Sequence, residues 1–169
     1  MAKSRCTLLL VVLCVCFAVL LGCATIKFQS SVDEKYNDGA VVITVLGVER
    51  SEMLPFGASG IDLAIQNGSD NPISIKWNSS TIDYNGNSHQ VFVTGEKFAD
   101  AGRQIPDRTI ARGSQIQIGV YPADNVVFVP GDYGGWKINP INATRVSATI
   151  CASVSGSDRY YTANVTIEK

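Results

Sequence analysis

The sequence predicts an all-β fold, an antiparallel sandwich of about eight to ten short strands. Three observations predict it. Beyond residue 23, apolar residues recur with period two in short runs, the pattern of a strand with one buried face. Clusters of Gly, Asn, Asp, Ser and Pro separate the runs at intervals of roughly 8–12 residues. No stretch beyond residue 23 sustains a helical period.

Taken in order, residues 24–39 are polar and mixed, a tether with at most one edge strand at Thr25 to Gln29. Ala40 to Val48 is dense in Val and Ile and reads as a strand. Ile61 to Gln66 alternates, with Ile61, Leu63 and Ile65 on one face, and Ile73 to Trp77 alternates as well. Asn67-Gly68-Ser69-Asp70-Asn71-Pro72 turns the chain between those two runs. Ser80 to Tyr84 and Ser88 to Thr94 flank Asn85-Gly86-Asn87, a short hairpin signal because Asn and Gly tolerate positive φ. Residues 95–108 carry Gly, Pro and charges and read as a long loop.

Ser114 to Tyr121 alternates again, with Ile116, Ile118 and Val120 inward. Asn125 to Val129 is a short apolar strand, and Gly131 to Trp136 is a turn or bulge that leads into Trp136 to Ile138. A final hairpin puts Val146, Ala148, Ile150, Ala152 and Val154 on one face, turns at Ser155 to Asp158, and returns with Tyr161, Ala163, Val165 and Ile167. Thr149, Cys151 and Ser153 fall on the opposite, more polar face. Trp77 is placed as a core tryptophan, which makes the sandwich immunoglobulin-like in architecture, without the paired cysteines of antibody domains. Analogy of architecture carries no function.

The first residues are different in kind. Lys3 and Arg5 precede an apolar run, Leu8 to Leu21. It is shorter than the roughly 20 residues a bilayer-spanning helix needs, and fits the apolar region of a signal peptide. The run closes on Leu20-Leu21-Gly22-Cys23, which resembles the lipobox of bacterial lipoproteins. Leu20 and Gly22 match that pattern; Leu21 stands where smaller residues are commoner. The resemblance implies cleavage between Gly22 and Cys23 and a lipidated Cys23, with a thioether-linked diacylglycerol and an amide-linked acyl chain. One myristoyl-length chain anchors only marginally, so two or three would hold stably. The alternatives are an ordinary signal peptide and an uncleaved anchor. Ala24 after the cysteine implies the outer membrane in a bacterium with two membranes. The expected organisation is a removed signal over 1–22, the lipidated cysteine and tether over 23–39, and one β-sandwich domain over 40–169.

Removing 22 of the 169 residues leaves 147, enough for one domain with a real core. The 14 basic residues lose Lys3 and Arg5, leaving 12 against 15 acidic, about −3 net. No basic run exists, which argues against nucleic acid as a partner. Of five cysteines only Cys151 lies in the domain, so no intrachain disulfide staples it. Cys151 reads as a quiet strand residue rather than a reactive thiol, because a thiolate needs a base and the single histidine, His89, lies in another predicted hairpin.

Chemistry is sparse. One histidine leaves no His-rich or Cys/His metal site within the chain, and no metal or other cofactor is expected besides the lipid on Cys23. No nucleophile elbow, phosphate loop or dinucleotide fingerprint occurs. Ser79, Ser80 and Ser88 lie near His89 in sequence, with Asp83 on the facing strand, but an exposed hairpin tip lacks the buried base a triad requires. The carboxylates are scattered, with no evident pair for glycan hydrolysis. Asn67, Ser69, Asp70 and Asn71 offer oxygens for Ca2+, although Asx-rich turns form for backbone reasons alone. Sequons at Asn67, Asn78, Asn142 and Asn164 carry little weight beside a bacterial lipobox.

The surface candidate is an aromatic loop formed by Tyr121, Tyr133 and Trp136, since Tyr and Trp dominate contact hot spots. Against it, and favoured by the sequence, stands Trp136 as a core plug beneath the bulge. The expectation is therefore a non-catalytic, membrane-anchored envelope module that binds a protein partner or supports an assembly through loops or a strand edge. A small-ligand or glycan-binding accessory protein comes second, and a hydrolase acting on envelope material third.

Overall fold

A computed structural model describes residues 27–32, 39–50, 58–131 and 134–168. The fold is an antiparallel all-β sandwich of twelve strands among the described residues: β1 (Lys27–Val32), β2 (Val41–Arg50), β3 (Ala58–Asn67), β4 (Ile73–Ile75), β5 (Thr81–Tyr84), β6 (Asn87–Val93), β7 (Arg108–Ile110), β8 (Gln115–Pro122), β9 (Val126–Val129), β10 (Gly135–Ile138), β11 (Arg145–Val154) and β12 (Ser157–Glu168). One sheet runs β1-β12-β11, and β11 then pairs with β5 along its first half and with β4 and its neighbour β7 further on. The other runs β2-β3-β8-β6.

Strand β6 joins the two. Asn87 to Gln90 pair with β5 in the first sheet, and Val91 to Val93 pair with β8 in the second. A strand that changes sheets makes a sandwich corner. The predicted tight turns hold: Asn85 and Gly86 take φ of 52° and 77°, and Ser155 and Gly156 take 50° and 82°, the positive values a two-residue hairpin demands.

The alternating faces meet as the sequence predicts. Ile61, Leu63 and Ile65 of β3 and Ile118 and Val120 of β8 lie with Ile150, Ala152 and Val154 of β11 and Tyr161, Ala163 and Val165 of β12 in one core. Trp77 is 1 % exposed within it, in a 3-10 turn rather than on the strand predicted there. Lys76 N–H donates to Cys151 O, and Ser80 Oγ donates to Lys76 O, which fixes that turn to β11.

The edge strand expected at Thr25 to Gln29 is present as β1, two residues further on at Lys27–Val32, and pairs with β12. Two expectations need correcting. Arg108, the last residue of the loop expected over 95–108, starts β7 (Arg108–Ile110), whose three residues are too short to show a period and are defined by pairing with β4. Cys151 is wholly buried despite its polar strand neighbours, because Tyr160 stands opposite it on β12 and Ser80 Oγ accepts from its N–H at 3.0 Å. Burial raises its thiol pKa above the usual value, which fits the quiet reading.

Candidate functional site

After Pro122 the chain makes a 3-10 turn at Ala123–Asn125 and leaves the sandwich as a separate two-stranded hairpin, β9 and β10. Gly134 is required at its turn: a Cβ there would lie 2.2 Å from Val129 O. Phe128 stands opposite Trp136, and Val126 opposite Ile138. These four share one face of the hairpin by alternation. Val126 and Ile138 pack against a small second core of Phe92, Tyr121 and Ala123. Phe128 and Trp136, one pair further out, are 60 % and 42 % exposed. Their rings meet edge-on, with centroids 5.5 Å apart at 64°, a favoured aromatic geometry.

Two expectations for the aromatic loop are thereby corrected. Trp136 is not a core plug: it is 42 % exposed, while Val126 and Ile138 at the root of the hairpin pack on the second core. Tyr121 is not a loop residue: it is buried on β8, beside Phe92. Tyr133 lies outside the described residues, as do Gly22 and Cys23. The partner of Trp136 is Phe128, which the sequence reading passed over; two apolar runs flanking a Gly-rich turn were its available signal.

The second core lies on the outer face of sheet β2-β3-β8-β6. There Glu49 pairs across to Gly60, while Asp62 sits between Gly47 on β2 and Gly119 on β8. The Tyr121 ring covers two of these glycines: a Cβ on Gly60 would lie 2.5 Å from Tyr121 Cδ1, and one on Gly119 2.8 Å from its hydroxyl. Tyr121 hydrogen-bonds to Glu49, and Glu49 to Asp62. Burial, then the Asp62 charge, raises the Glu49 carboxyl, against the Tyr121 hydrogen bond, which lowers it. Burial and both carboxylates push the Tyr121 phenol far up, so it stays a donor. This is the carboxyl pair that the sequence did not reveal.

A consequence is pH dependence. A carboxyl whose folded value is raised binds its proton more readily in the native state. Its stabilising contribution is present below the ordinary glutamate value of about 4.5 and is lost as pH rises through the raised value. Glu49→Gln, which keeps an acceptor for Tyr121 and gains a donor for Asp62, should raise the melting temperature at neutral pH and leave it unchanged in mild acid. Equal melting curves at both pH values would contradict this.

The other candidates separate. His89 Nδ1 lies 2.9 Å from Asp124 Oδ2, and its ring stacks on Tyr84 at 4.4 Å. Asp83 accepts instead from Thr81, Ser80 is bound to β11, and His89 Nε2 is buried with no hydrogen-bond partner among the described residues. Ser80, His89 and Asp83 do not converge. At the Asx-rich turn, Asp70 pairs with Arg112 at 3.0 Å and the Asn67 side chain is committed to backbone and to the Ser69 hydroxyl. No group of three or more His, Cys, Asp or Glu that could hold a metal occurs among the described residues. No helix among them is long and apolar enough to cross a membrane.

No protein-family model, curated protein or solved structure matches the chain.

Proposed function

We propose that the chain is a lipid-anchored protein of the cell envelope, held through Cys23 after removal of residues 1–22, whose sandwich binds a protein partner or supports an assembly there. In a bacterium with two membranes, Ala24 directs it to the outer one. The reading takes binding rather than turnover as the activity, because Ser80, Asp83 and Asn67 are engaged in holding the fold.

The observation that carries partner binding is β2. It is the longest described strand that is paired on one side only. Its outward side chains before the bulge are Val42 and Thr44, and Leu46, the bulged residue, is 47 % exposed. Edge strands are usually blunted by charge, Pro or a bulge, and Val41 to Val45, ahead of the register shift at Gly47, carry none of these. A free edge adds an extended segment of a partner through main-chain hydrogen bonds. A photo-crosslinking residue at Val42, in the full chain in intact cells, is expected to capture one dominant envelope protein. Thr44→Lys with Leu46→Lys should reduce that capture at least about tenfold, the equivalent of 1.4 kcal/mol, with an unchanged melting curve. Absence of any specific adduct, with the purified N-terminus lipidated, would overturn the protein-binding part.

The exposed Trp136 favours a second reading, a glycan or small-ligand accessory, since an open indole face stacks on flat apolar surfaces. A saccharide-dependent change in Trp136 emission would support it.

A further inference from the structure

We propose that the β9–β10 hairpin is a second, non-covalent membrane contact, and that Phe128 and Trp136 seat in the interface of the bilayer that carries the Cys23 lipid. This rests on the lipid-anchor reading and adds to it which end of the sandwich faces the lipid.

The strand registers locate that end. Lys27, the first residue of β1, stands opposite Glu168 on β12. One residue in, Ile167 N–H donates to Thr144 O, just before β11. Val146 of β11 stands opposite Tyr84 of β5. Tyr84 Oη donates to Asn125 Oδ1 at 3.2 Å, and Asn125 immediately precedes β9. On the return, Asn139 N–H donates to Asn125 O at 2.8 Å, just after β10. The start of β1 and the root of the hairpin therefore lie at one end of the sandwich. About three strand spacings of ~4.8 Å separate β1 from β5 along this edge.

Cys23 precedes Lys27 by four residues, a reach of at most about 14 Å. A lipidated Cys23 thus holds this same end within about 14 Å of the bilayer surface. The exposed ring pair lies two residues beyond the hairpin root, roughly 7 Å of strand. That is comparable to the ~5–10 Å by which interfacial segments enter the headgroup boundary. Trp is enriched at that boundary because an apolar ring and an N–H donor suit its two sides. An exposed aromatic pair beside an aqueous surface needs a cause, and here the bilayer is the nearest apolar phase.

Charge is not the attraction. Lys137 and Arg145 lie at this end, but so do Asp124 and Glu49. Insertion should therefore be insensitive to salt and to anionic lipid. Because the anchor makes the encounter intramolecular, even a weak ring–lipid contact would be occupied.

The test uses the full chain with its lipid, reconstituted in phosphatidylcholine vesicles with or without brominated acyl chains. Trp77 is buried in the core and serves as internal background; Trp136→Phe measures that background alone. The expected result is blue-shifted Trp136 emission, quenched by bromolipid and shielded from aqueous iodide, unchanged in high salt. Phe128→Ser should return most of the iodide access. Iodide-accessible Trp136 with a lipidated Cys23 by mass spectrometry would overturn the proposal and leave the anchor reading intact. Shielding that requires a co-purified protein, or that grows with protein concentration without vesicles, would overturn it in favour of a protein contact. A processed chain with no lipid on Cys23 would instead remove the anchor reading, and the proposal with it.

Discussion

Trp77→Ala is expected to cost about 3–5 kcal/mol, the range for truncating a large buried ring. Trp77 is 1 % exposed and is among the largest fully buried side chains. The cavity should not close readily. Lys76 on one side and Ser80 on the other are tied to β11 through Cys151 and its carbonyl, so the turn carrying Trp77 cannot sink inward without breaking those bonds. A loss of that size is a large fraction of the roughly 5–15 kcal/mol that holds a domain. Equilibrium urea unfolding should show it as a fall in midpoint with little change in slope. Trp77→Phe, which keeps a ring in the site, should cost clearly less. If the alanine variant lost under about 1 kcal/mol, the turn would have to be more compliant than its hydrogen bonds indicate.

How much of this was legible in the residues follows from what each signal can see. Period two reports which face of a strand is buried, and it placed Ile61, Leu63, Ile65, Val120, Ile150 and Tyr161 correctly in the core. Turn chemistry reports where the chain reverses, and Asn85-Gly86 and Ser155-Gly156 do so with positive φ. Neither signal reports pairing. Strand β7 exists only because β4 lies beside it, and β6 changes sheets between Gln90 and Val91 without a break in its own sequence.

The bulge in β2 is the instructive failure. Val41, Ile43 and Val45 point toward the core, so strict alternation would send Glu49 inward as well. The register shifts between Val45 and Gly47, and the extra residue reverses the phase. Val48 then packs against the core, while Glu49 joins Asp62 on the outer face. The Glu49–Asp62–Tyr121 cluster is a product of that one residue. Trp136 failed for a related reason: its alternation is that of a true strand, but among the described residues no second layer covers the outer half of its hairpin.

Asn67→Ala is expected to cost about 3 kcal/mol, although Asn67 read in the sequence as a turn residue, a sequon and a possible Ca2+ ligand. It is fully buried at the end of β3. Its Nδ2 donates to Asn71 O at 2.8 Å and Ile110 O at 3.0 Å, and its Oδ1 accepts from Ser69 N–H at 2.9 Å. One side chain therefore joins β3, its own turn and β7. Each net bond is worth about 0.5–1.5 kcal/mol, and a carbonyl left buried without a donor costs more. Asn67→Asp separates hydrogen bonding from shape. It is nearly isosteric, but it would turn an acceptor toward two carbonyls and bury a charge, so it should be at least as destabilising as alanine. Serine at this position should also fail, because one hydroxyl cannot donate twice. Chemical denaturation of the three variants, with and without added Ca2+, distinguishes the roles. If the side chain is a backbone clasp, all three lose stability and Ca2+ changes nothing. A carboxylate variant as stable as the native chain, or a melting temperature that rises with Ca2+, would return the turn to the status of an ion site.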